Sequence, residues 1–97
     1  MLKLLKISGD SLLPDYEHGD FVLVSKIPYY FSSPACGDVI AFHQPGYGLL
    51  IKRLIAIDPY GGIQVQGSQP ESIDSRVFGA VQRKDIVGKV IWHFRRA

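Results

Sequence analysis

The chain has 97 residues, of which 46% are hydrophobic and 21% charged, with a formal net charge of +2. That length supports one core, burying roughly 60–65% of the unfolded surface, so residues 1–97 read as a single domain and the composition argues against global disorder. The weak charge is spread along the sequence apart from Arg95 and Arg96, which argues against a nucleic-acid partner, and the lone Cys36 excludes an internal disulfide.

Short apolar runs separated by Gly, Pro, Asp and Ser predict strands over Leu2 to Ile7, Asp20 to Lys26, Asp38 to His43, Leu49 to Ile57, Ile63 to Gln66 and Ile86 to Phe94. The second ends at Pro28, the third is entered through Gly37-Asp38, and the fifth follows Tyr60-Gly61-Gly62. The last is expected to hold Ile86, Val90, Trp92 and Phe94 on one side. Tyr29-Tyr30-Phe31 reads as core, because aromatic rings dominate burial. No segment shows a stripe of helical period, so the pattern suggests an all-β sandwich or coiled barrel.

No apolar run approaches the ~20 residues that span a bilayer, and Met1 to Ile7 is too short and too charged for a secretory signal. The expectation is a cytoplasmic protein with no stable membrane anchor in this chain. His18, His43 and His93 are scattered without metal-ligand spacing, so neither metal nor cofactor is expected.

Three segments carry candidate chemistry. On the strand Leu49 to Ile57, alternation places Leu50, Lys52, Leu54 and Ala56 on one face, and both faces are mostly apolar. Two readings of Lys52 stay open. Its tip snorkels to water at a sheet edge, or its amine is buried, where desolvation favours the neutral form and makes it a general base. The turn Ser8-Gly9-Asp10-Ser11-Leu12-Leu13-Pro14 follows a strand and presents Ser11, a hydroxyl that a base would activate as a nucleophile. The polar stretch from Gly67 to Arg76 reads either as a structural loop, with Asp74 and Arg76 paired, or as a wall bringing Ser72 towards the base.

Together these segments resemble the signal-peptidase type of serine–lysine peptidase. Its G-x-S-M-x-P-T segment is matched from Gly9 to Asp15, with Leu12 and Asp15 in place of the usual Met and Thr. Gly19-Asp20, Gly37-Asp38-Val39-Ile40-Ala41-Phe42 and Lys52-Arg53-Leu54 match its next segments. Ser72-x-Asp74-Ser75-Arg76-x-Phe78-Gly79 matches its last motif, preceded by Ser68-Gln69 where the family has Asp-Asn, and Ile86 to Val90 matches the final strand. The order of the motifs over nearly the whole chain is more specific than any one of them.

The resemblance implies a mainly β, coiled and partly open barrel shared with self-cleaving repressors of the SOS type. It makes Ser11 the nucleophile and Lys52 its base, places the Ser72 hydroxyl near the lysine amine, and makes Asp74 and Arg76 a supporting ion pair. The Ser11 amide would contribute to the oxyanion hole. Gly9, Asp10, Ile7 and Leu12 would line the oxyanion and substrate-binding edge, Gly9 without the hydroxyl that some members use there. The compact form is most like the nickel-type superoxide dismutase maturation proteases, so the implied partner is a precursor with an N-terminal leader. The alternatives are a type I signal peptidase lacking its anchor, a repressor-type self-cleavage or dimerisation domain, and a non-catalytic peptide-binding module.

Overall fold

The computed structural model describes residues 2–8, 15–67 and 75–95, Val77 by its backbone alone. Strands β1 (Leu2–Lys6), β2 (Phe21–Ser25), β3 (Val39–Gln44), β4 (Gly48–Ile57), β5 (Ile63–Gln66) and β6 (Ile86–Phe94) form one antiparallel sheet in the order β1-β2-β6-β3-β4-β5. The mainly β expectation holds, and among the described residues the sheet stays open, with β1 and β5 as its edges. Helices α1 (Pro28–Phe31) and α2 (Ser75–Phe78) have four residues each, too few to leave a periodic stripe in the sequence. No helix among the described residues is long and apolar enough to cross a membrane.

Two apolar clusters cover the two faces. Ile40, Phe42, Leu54 and Val65 pack on one face with Val81 and Ile86, closed over by Tyr29 of α1 and Phe78 of α2. Ile7, Val22, Val24 and Ala41 pack on the other, with Tyr16 and Ile51 against them. Strand β3 contributes to both, which is why its sequence is continuously apolar from Val39 to Phe42. Turn chemistry fixes the hairpins. Pro45-Gly46 turns β3 into β4, Gly46 having φ 84° and Tyr47 N–H bonding the Gln44 carbonyl at 3.0 Å. Asp58 ties the β4–β5 turn, its Oδ1 accepting from the amides of Tyr60 (2.9 Å) and Gly62 (2.8 Å).

Three expectations about side-chain placement fail, for local reasons. The β4–β5 register shifts between Leu54 and Ala56, so Ile55 is the extra residue and Ala56 pairs with Gln64 instead of sharing the Lys52 face. In β6 the shifts against β3 and β2 fall at Val87 and Ile91. Val90 therefore faces Val24, while Trp92 and Phe94 lie on the other face, opposite Leu23 and Phe21. Of the aromatic trio only Tyr29 joins the core; the four residues of α1 turn Tyr30 and Phe31 outwards, to 67% and 85% exposure.

One device occurs twice. Glu17-His18-Gly19-Asp20 and Ala35-Cys36-Gly37-Asp38 are turns with glycine third, at φ 95° and 96°. In each, the aspartate amide bonds the carbonyl three residues back, at 3.0 and 3.1 Å, and the carboxylate takes the amide of that same residue, at 3.0 and 3.1 Å. Each carboxylate then docks on β6. Asp20 meets His93 Nε2 at 2.7 Å, and Asp38 meets the Lys89 ammonium at 3.4 Å and accepts the Tyr29 hydroxyl at 2.7 Å. Burial alone would raise the Asp38 carboxyl, but the Tyr29 hydroxyl, the Ala35 amide and Lys89 outweigh it and hold it below its usual range. Burial, followed by the bond to Asp38, pushes the Tyr29 hydroxyl well up.

Two measurements test this packing. A Cβ on Gly88 would lie 2.8 Å from the Ser25 backbone and from Val24 Cγ1, so Gly88→Val is expected to cost about 1–3 kcal/mol in urea denaturation. Asp38 ionises more readily folded than unfolded, where its value is 3.8, so its contribution is present above that value and lost as pH falls through the folded one. Asp38→Asn is therefore expected to be less stable than wild type near neutral pH, with the gap narrowing in acid; a gap independent of pH would refute the assignment.

Candidate active site

Lys52 occupies the middle of β4, opposite Ile40 of β3, on the face that carries Leu50 and Leu54. β4 is an interior strand, flanked by β3 and β5, so there is no sheet edge past which the stem reaches water. The residue is 5% exposed, which excludes the snorkelling reading and leaves the buried one. Arg53, one step along, points to the opposite face, where its guanidinium meets Asp15 at 2.9 Å.

Described residues border both segments expected to complete the site. Ile7 continues the β1–β2 ladder, its N–H bonding the Asp20 carbonyl at 2.7 Å and its C=O accepting from Gly19 at 2.9 Å. The chain is described again from Asp15, the partner of Arg53, and Tyr16 stacks on His93 with ring centroids 4.4 Å apart. Burial raises the Tyr16 hydroxyl, opposed by Arg53 and reinforced by Asp15. The described chain is therefore pinned at Ile7 and, from Asp15, held to Arg53, the residue next to Lys52.

The second segment starts from β5. Because Gln66 pairs with Arg53, the next residue, the buried Gly67, lies level with Lys52. The described chain resumes at Ser75, whose Oγ accepts the Val65 amide at 2.8 Å, and Val81 pairs with Ile63 along the same edge. The described residues on both sides of 68–74 are thus tied to β5, the strand beside the one that carries Lys52.

Of the expected site residues, Ser11, Gly9, Asp10, Leu12, Ser72 and Asp74 lie outside the described residues. Lys52, Arg76 and Ile7 lie within them. Arg76 is exposed on α2. The Ile7 side chain is buried on the face opposite Lys52, and its backbone groups are engaged with β2, so a peptide adding at that edge would pair with its neighbours. Sequence reasoning gave no role to Asp20, His93, Asp38, Lys89 or Tyr29. The repeated Gly-Asp was the available signal, since an αL glycine followed by aspartate marks a self-bonded turn.

The sequence profile of the family described as "Signal peptidase, peptidase S26" matches residues 1–69, a span containing both the Ser11 turn and Lys52. Probable signal peptidase I-1 of Synechocystis sp. is 29% identical over an alignment of 134 positions, covering 91% of this chain and 68% of that protein. Signal peptidase I of Leptolyngbya laminosa is 38% identical over 72 residues, covering 65% of this chain and 35% of its own length. The profile covers more than half of a mainly β chain that buries a lysine on an interior strand, so the chain belongs to the signal peptidase family, peptidase S26.

Proposed function

We propose that this chain is a serine endopeptidase that removes an N-terminal leader from a precursor protein, with Ser11 as nucleophile and Lys52 as general base. The observation that carries the reading is the burial of Lys52 among apolar side chains on β4. Burial by itself favours the neutral amine, the form able to take a proton. Lys52 accepts the Ser11 proton as Oγ attacks the scissile carbonyl, and the Ser11 amide stabilises the oxyanion. The protonated amine then passes its proton to the leaving nitrogen, and water attacks the acyl-enzyme with Lys52 again as base, restoring Ser11. Ser72 supports the lysine amine, Asp74 and Arg76 brace the segment, and Gly9, Asp10, Ile7 and Leu12 border the substrate strand. The reaction needs no metal or cofactor.

The precursor of a nickel-type superoxide dismutase, processed in the cytoplasm, is the substrate we put first, on resemblance. A second reading, an exported precursor with a signal sequence, is favoured by the names of the two relatives. Both precursors would be incubated with wild type, Ser11→Ala and Lys52→Met, and leader removal followed by mass spectrometry. The expected result is cleavage of the superoxide dismutase precursor by wild type, with turnover reduced on the order of 10³-fold or more in each variant. Cleavage of the exported precursor alone selects the second reading. Failure of the folded wild type on both removes both substrates and leaves the peptide-binding alternative. Lys52→Met also separates function from folding. The denaturation midpoint of the variant, measured beside that of wild type, shows that activity is lost with the fold retained.

A further inference from the structure

Four of the eleven Lys and Arg residues, dispersed in sequence, are gathered in space. At the end of the sheet remote from Ser8 and Asp15, a groove of ≈ 310 Å³ receives Lys3 from β1, Lys26 from the end of β2, His43 from β3 and Lys84 from the turn before β6. A second groove of ≈ 200 Å³ adjoins it through Lys26 and Ile86 and adds Arg83 beside the rings of Tyr29 and Tyr30. Among the described residues, Asp85 is the one carboxylate lining either. Among the described residues, none of Lys3, Lys26, Arg83 and Lys84 takes part in an ion pair. The convergence therefore holds no ordinary salt-bridge network, and a concave wall of one sign focuses its field on an incoming anion.

The lining chooses among anions. Ammonium groups from separate segments match a dianion with several acceptor oxygens better than a single carboxylate. Val24, Ile86 and Val87 add apolar lining to the first groove, and the adjoining groove is lined by Tyr29 and Tyr30 together with Arg83. The site thus takes a charged head and an apolar or aromatic body together.

We propose that these two grooves form a binding site for a phosphate ester, the phosphate held by Lys3, Lys26 and Lys84 and the organic group lying on Ile86 and the Tyr29–Tyr30 wall. The same chemistry has two sources, a soluble phosphate monoester or an anionic lipid headgroup, and the proposal rests on no part of the peptidase reading.

The test titrates wild type and the K26Q/K84Q double variant with phenyl phosphate by calorimetry, with phenylacetate as the carboxylate control. Sedimentation with phosphatidylglycerol and phosphatidylcholine vesicles runs alongside. Both substituted lysines are exposed, so the variant should keep the wild-type circular dichroism spectrum and melting transition. The expected result is saturable phenyl phosphate binding, about tenfold weaker in K26Q/K84Q and at least about tenfold weaker for phenylacetate. Capture by phosphatidylglycerol vesicles that is lost in the variant and competed by phenyl phosphate makes the lipid headgroup the source. Binding of phenyl phosphate without vesicle capture makes it the soluble ester. Absence of binding in both arms, equal affinity for phenylacetate, an unchanged affinity in K26Q/K84Q, or binding seen only with poly-glutamate or DNA overturns the proposal.

Discussion

Strand β6 lies between β2 and β3 and carries the side chains on which both Gly-Asp turns close, His93 for Asp20 and Lys89 for Asp38. Each turn is where the chain enters a neighbouring strand, so each carboxylate fixes a strand start against the sheet centre. A buried carboxylate is tolerated only when its acceptors are engaged, and here backbone amides and β6 side chains engage them. The arrangement joins local turn geometry to long-range register. Removing the aspartate would loosen the turn and its docking together.

The site is built on that frame. Asp20 sits opposite Ile7, at the root of the stretch carrying Ser11, and Asp38 gives its carbonyl to the Leu54 amide at 2.7 Å, two residues beyond Lys52 on β4. Each turn therefore supports one half of the proposed dyad from outside it. Burying the Lys52 side chain carries a desolvation cost that an apolar residue at that position would not.

Strand positions were legible because turns and β-branched runs are local properties; Ile63–Gln66 and Ile86–Phe94 were read with the bounds the structure shows. Faces were less legible. A bulge at Ile55, Val87 or Ile91 depends on the partner strand and leaves no mark in the strand's own residues. Lys52 was identifiable as a lysine among apolar neighbours, but its burial turned on whether its strand was an edge, which is a property of topology. Tyr30 and Phe31 misled because composition reports the tendency of aromatics to bury and not the direction in which a four-residue helix presents them. The basic corner was invisible for the same reason: Lys3, Lys26 and Lys84 meet only when β1, β2 and β6 are aligned.

The outer face of β1, β2 and β6 is apolar in rows, Leu4 beside Leu23 beside Trp92, and Phe21 beside Phe94. Trp92 is 62% exposed there and is the chain's single tryptophan. Intrinsic fluorescence of this protein thus reports on one patch of one sheet face. Anything that covers those rows, whether another protein, a detergent or a second copy, will shift the emission to the blue without any label, and unfolding will change it little because the indole is largely in water from the start.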